Sequence, residues 1–210
     1  MSGSEDIPQH FTVDNQLWEA LQKANPEIIS RNCEISFDQK DGFYRIPVLN
    51  DFYGIFPQDK RIVRLSGKRR VSEEKYQVEL TLFLLYYLLG TKDIPLVGKR
   101  VSEKELKGGE MFFRGPHALP VNAIIEKFGQ NPEGLIASGL LLGGKKVELG
   151  DASIELRPAP KVPVTYVLWA EDEEFPASVS ILFDPTIQEF LPLDVIYGIT
   201  ILLSHRLVGT

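Results

Sequence analysis

Tyr44-Arg-Ile-Pro-Val48, Phe52-Tyr-Gly-Ile-Phe56 and Arg61-Ile-Val-Arg-Leu65 are three short β-branched and aromatic runs, set apart by Leu49-Asn50-Asp51 and Pro57-Gln58-Asp59. Runs of this length joined by short turn signals predict an antiparallel meander. Asp41-Gly42 marks the turn that enters it. Upstream, Leu17, Trp18, Leu21 and Ala24 form one helical stripe, with Asp14 as the N-cap and Asn25-Pro26 as the stop. Residues 1–13 read as a flexible arm. Cys33, between Asn32 and Glu34-Ile35, is expected to be a half-buried strand thiol with no activating cation beside it.

Downstream, Ser72 with Glu73 and Glu74 opens a second helix that runs to about Leu89 and stops at Gly90, read as a C′ glycine. The apolar second half of that helix is expected to lie across the sheet. Ser102-Glu-Lys-Glu105 has capping-box spacing. Pro120 to Phe128 and Glu133 to Leu142 predict two more helices, closed by Gly129 and by Gly143-Gly144. Strands then return at Lys146 to Leu149, Ser153 to Leu156, Val164 to Trp169 and Ser178 to Phe183, with Gly150-Asp151 as a turn. Pro158, Pro160 and Pro163 are expected to break the connection between the second and third of these, and Glu171 to Glu174 is an acidic loop. A last helix, about Leu193 to Leu207, is apolar nearly all round and therefore central. Strands, then helices, then strands again indicate an α+β fold: one domain over 1–210, with antiparallel sheets packed on a central apolar C-terminal helix.

The chain has 210 residues, 43% hydrophobic and 25% charged, which describes a globular protein and not a disordered one. A net charge of −6 gives nucleic acid little to hold. The one basic cluster, Lys68-Arg69-Arg70, runs straight into Glu73 and Glu74 and reads as a solvated face. A single cysteine forms no intrachain disulfide, holds no iron–sulfur cluster and fits a reducing cytoplasm. The polar N-terminus lacks an apolar leader run. Leu80 to Leu89 is too short to span a bilayer, which takes roughly 20 helical residues. Phe190 to Val208 is interrupted or crowded by Pro192, Asp194, His205 and Arg206. The expectation is a cytoplasmic protein with no membrane span.

Gly139-Leu-Leu-Leu-Gly-Gly144-Lys-Lys146 approaches a phosphate-binding loop but lacks the hydroxyl after the lysine and puts helix before strand. A helix C-terminus entering a hairpin accounts for it. Ser72 and Lys75 have the Ser-x-x-Lys spacing of penicillin-recognising enzymes, without the companion motifs. His10, His117 and His205 are far apart, and none has the spacing of a zinc site. Arg114-Gly-Pro-His117 is a loop fixed by glycine and proline whose guanidinium and imidazole suit an anion. Trp169 and the acids after it, ending at Asp184 before Pro185, place an aromatic and carboxylates at strand ends. His205 beside Arg206 complements the negative end of the last helix. Arg114, His117, Trp169, Asp184 and His205 are thus the candidate ligand-binding residues, with no catalytic or metal-ligating set.

The segment from Lys161-Val-Pro-Val-Thr-Tyr-Val-Leu-Trp169 through Phe175-Pro-Ala-Ser-Val-Ser-Ile-Leu-Phe-Asp184 closely resembles an uncharacterised family, domain of unknown function 3786. Leu141-Leu-Gly-Gly144, Gly150-Asp151, the apolar helix to Arg206, and Tyr86-Tyr-Leu-Leu-Gly90 through Glu110-Met-Phe-Phe-Arg114 share the likeness. The resemblance implies a source among anaerobic bacteria and archaea. It also implies association with a four-cysteine module like that of corrinoid iron–sulfur proteins, to which some members are fused. This chain has one cysteine, so an iron–sulfur or corrinoid protein would be a separate partner. The expectation is an accessory or ligand-binding domain in anaerobic metabolism, its cofactor unnamed by the sequence. A metal-independent enzyme acting on a small anion, with Arg114, His117 and Asp184 or His205 in one pocket, is the alternative. A protein-interaction scaffold is the second alternative.

Overall fold

The computed structural model describes residues 15–65 and 77–210. The expected arm, His10, the Asp14 cap, the Lys68-Arg69-Arg70 cluster and the Ser72 cap with Lys75 lie outside them. Helix α1 spans Asn15–Lys23 and buries Trp18 and Leu21. Asn25-Pro26 ends α1 but also starts α2, Pro26–Cys33, because the Asn25 side chain accepts from the amides of Glu27 and Ile28 and Pro26 fills the first turn. Cys33 is therefore the last residue of a helix and fully buried, not a half-buried strand residue.

The meander is present as β1 (Ser36–Asp38), β2 (Phe43–Val48), β3 (Asp51–Phe56) and β4 (Arg61–Arg64), antiparallel in that order. Tyr44, Ile46 and Val48 of β2 are buried while Arg45 faces out, the alternation a one-sided sheet demands. Tyr53 and Ile55 oppose Ile46 and Tyr44 across the pair.

A second sheet has the order β5-β9-β8-β7-β6: Val101–Ser102, Ser178–Phe183, Val162–Trp169, Ala152–Ala159 and Lys145–Lys146, antiparallel throughout. The prolines expected to break it sit inside the β7–β8 hairpin. Between the pairs Leu156↔Val164 and Ala159↔Val162, Arg157 and Pro158 face the single residue Pro163. That is a β-bulge, where the ladder is interrupted and a missing N–H costs little. One face of the sheet, with Ile154, Tyr166 and Ile181, is sealed from solvent.

Helix α8 (Leu193–Val208) covers that buried side, in contact with β7, and Tyr166 reaches the Ser204 hydroxyl at 3.0 Å. The expected central C-terminal helix is thus present. Around it lie α3 (Gln77–Gly90), α5 (Asn122–Phe128) and α6 (Pro132–Leu141). Helix α3 packs chiefly on α8, α1, α2 and the short α7 (Ile187–Phe190), so it is held among helices and not laid across a sheet. Gly90 does not adopt the left-handed cap conformation expected of it. It is the last residue of α3, and a Cβ there would stand 2.3 Å from the Phe190 carbonyl oxygen. The capping box forms as expected: Glu105 accepts from the Ser102 amide at 2.8 Å and opens a single 3-10 turn. A four-residue helix α4, Gly109–Phe112, follows. One continuous apolar core joins both sheets and the helices into a single α+β domain. Among the described residues no helix is long and apolar enough to cross a membrane.

Candidate ligand-binding cleft

The two sheets meet at the β7 bulge. The Leu49 amide, in the β2–β3 turn, donates to the Arg157 carbonyl at 3.2 Å, and the Asn50 side chain donates to the carbonyl of Leu141 at the end of α6. Beside this junction the outer face of the five-stranded sheet is left open as a cleft of about 560 Å³. Lys145, Glu155 and Thr165 are successive cross-strand partners on β6, β7 and β8, so all three project to that face. Ile154 and Tyr166, one position away, project into the core.

The residues after α3 run without regular structure past the cleft and deliver Arg100. Its Nε donates to the Thr165 hydroxyl at 3.1 Å and its Nη2 to Glu155 Oε2 at 2.9 Å. Arg157 takes the other oxygen of the same carboxylate, with Nε and Nη2 at 3.2 and 3.1 Å from Oε1. Glu155 is 12% exposed at its side chain, against 37% for Arg100 and 54% for Arg157. One sheltered carboxylate therefore holds two guanidiniums side by side at the floor of the cleft, both open to solvent.

Asp184 lines the same cleft from the end of β9. Its carboxylate accepts from the amides of Val97 and Gly98 at 3.2 and 2.7 Å and from the Thr186 amide and hydroxyl at 3.0 and 2.7 Å. Burial acts to raise its pKa, but these bonds prevail and hold it below the ordinary carboxylate range. Asp184 thus fixes the turn that carries Arg100. Gly98 is required there by its left-handed φ of +76°.

Lys99, Lys145 and Lys146 complete the rim, and among the described residues only Lys146 of these three meets a carboxylate, Glu148 at 3.9 Å. Five cationic side chains (Lys99, Arg100, Lys145, Lys146, Arg157) thus face three carboxylates (Glu148, Glu155, Asp184), in a chain whose net charge is −6. Leu49, Leu96, Val147 and Pro163 supply an apolar wall. A wider recess of about 760 Å³ between α1, α2 and β1 has, among the described residues, Lys23 and Glu27 as its only charged lining and no such convergence.

Of the five candidate ligand-binding residues, only Asp184 lines this cleft, beside Gly143, Lys145 and Lys146 from the stretch that approaches a phosphate-binding loop. Arg114 is exposed and pairs with Glu110 at 2.7 Å. His117 stacks on Phe112 with centroids 4.7 Å apart and meets the edge of Tyr197 at 5.4 Å. Trp169, 44% exposed, borders a separate recess of about 460 Å³ with Asp151, Asp172 and Phe175. His205 is half-buried in the last turn of α8, where its carbonyl accepts from the Gly209 amide. Arg100, Glu155, Arg157 and Thr165 escaped the sequence reading. The available signal was Glu155-x-Arg157 on one strand with Thr165 on the next, a period-2 polar pattern on one face. Cys33 offers no nucleophile, since burial pushes its thiol up to about 12. Among the described residues no three His, Cys, Asp or Glu side chains are grouped to hold a metal ion.

Residues 25–206 match the family described as Domain of unknown function (DUF3786), and the chain belongs to that family. No curated protein and no solved structure matches it.

Proposed function

We propose that this member of the DUF3786 family is a ligand-binding domain that takes a small organic anion in the cleft beside the β7 bulge. The observation that carries this reading is the pair of guanidiniums, Arg100 and Arg157, anchored on the two oxygens of Glu155. A guanidinium already held in place loses little freedom when an anion arrives, so more of each new hydrogen bond appears as affinity. The surrounding lysines add an attractive field for an anion within a chain of net charge −6.

The family likeness supports a setting for such a domain: accessory to an iron–sulfur or corrinoid protein of anaerobic metabolism, with the partner supplying the redox centre. The enzyme alternative places Arg114 and His117 with Asp184 or His205, and neither Arg114 nor His117 lines the cleft that Asp184 lines.

Calorimetric titration of the full chain with a panel of small carboxylates and phosphates tests the reading. Saturable one-site binding is expected for at least one anion, weakened about tenfold or more by Arg100→Ala. A panel without binders, or binding indifferent to Arg100→Ala in a variant with unchanged circular dichroism, would sink it.

A further inference from the structure

We infer that the anion this cleft takes is a phosphate monoester borne on an apolar body; this rests on the anion-binding reading above and narrows it. Charge comes first. The three carboxylates of the cleft are already engaged: Asp184 by loop amides and Thr186, Glu155 by the two guanidiniums, Glu148 by Lys146. The cations exceed them by two, which a dianion balances and a monocarboxylate leaves half unmet.

Donor geometry points the same way. Arg100 uses its Nε and one Nη2 proton on Thr165 and Glu155, so among the described residues its Nη1 group and the second Nη2 proton are left to donate. Arg157 spends Nε and Nη2 on Glu155 and approaches the Pro160 carbonyl at 3.4 Å, keeping its outer protons. Among the described residues Lys99 and Lys145 have no ion-pair partner, and they add ammonium donors from the rim. The free donors therefore come from a strap, a strand bulge and a sheet edge, which are different directions. A carboxylate presents two oxygens in one plane, whereas a phosphate monoester presents three tetrahedral ones, and the second arrangement meets more of these donors.

Size and lining then define the rest of the molecule. A cleft of about 560 Å³ falls in the range of small-molecule sites, too small for a polymer. The net charge of −6 further repels long polyanions such as nucleic acid. Leu49, Leu96, Val147 and Pro163 border the cations with apolar surface that an inorganic phosphate would leave uncovered. The ester's organic part covers it.

Three probes with the same ring separate the possibilities: phenyl phosphate, the monoanionic diester methyl phenyl phosphate, and benzoate. Titrated calorimetrically into the full chain at about pH 7.5, phenyl phosphate should bind about tenfold or more tightly than either monoanion. Lowering the pH to about 5 protonates the monoester, whose second pKa lies near 6, and should weaken it several-fold while the diester stays unchanged. Arg157→Ala and, as an independent surface variant, Lys145→Ala should each reduce the preference for the monoester. If benzoate or the diester binds as tightly as phenyl phosphate, the phosphate inference falls while the anion reading stands. If none of the three binds and Arg100→Ala changes no titration in the wider panel, both fall.

Discussion

Asp184 carries a carboxylate into a site that is 4% exposed and surrounds it with four donors from Val97, Gly98 and Thr186. Its pKa is lowered in the folded chain, so the unfolded chain holds its proton more tightly. Its contribution to stability is therefore fully present above the unfolded value and is lost as pH falls through the folded one. Asp184→Asn should destabilise the protein by about 1–3 kcal/mol near neutrality, because an amide turns donors toward donors. Urea unfolding from about pH 6 to about pH 3 should show the two proteins converging at the acid end. A constant gap would mean that Asp184 is not the titrating group. Glu155→Gln removes the carboxylate that holds two adjacent guanidiniums in place, so it should lower the unfolding midpoint and also weaken anion binding, because Arg100 and Arg157 then lose more freedom when the anion arrives. Added phosphate should then stabilise the variant less than the unaltered chain, measurable as a smaller concentration-dependent melting shift.

The elements explain why several motifs in the sequence are packing devices. Gly139 and Gly144, which give the chain its phosphate-loop look, face the sheet: a Cβ on Gly139 would lie 2.2 Å from Ile154 Cγ1, and one on Gly144 would lie 2.7 Å from Leu156 Cδ2. Gly139→Ala should therefore push α6 off β7 and cost about 1–3 kcal/mol in denaturant unfolding, with α-helix content retained. A neutral result would show that α6 shifts without strain. The meander, the capping box and the strands β7, β8 and β9 were legible in the sequence, because alternation and caps are local signals, whereas the strand expected over Lys146 to Leu149 is only the two-residue β6, Lys145–Lys146. Helix α2 was not, since Asn25-Pro26 serves equally as a stop and as a start. The β7–β8 prolines misled for a related reason: proline forbids a ladder bond at its own position, and only the partner strand reveals that the ladder is already interrupted there.

In the whole molecule the cleft lies where two separately built sheets touch, with Leu49 of one bonded to the bulge of the other. A ligand bound there would bridge the strap after α3, the five-stranded sheet and the meander turn, and so should stabilise all of them together. A saturating anion at about a hundred times its dissociation constant should raise global stability by about 2.7 kcal/mol, read as one cooperative shift in thermal unfolding. If instead only part of the transition moved, the sheets would be unfolding independently. By itself the sequence determined the α+β class, the two groups of strands, the buried last helix and the family likeness, because each is written in periodicity and in runs of neighbouring residues. It also pointed to Asp184, from its place at a strand end. Only the tertiary structure decided the cleft: Arg100 reaches Glu155 and Thr165 across 55 and 65 positions of chain. No local pattern encodes which distant strand will lie beneath a given arginine, since strand order and register are fixed by the packing of the whole core.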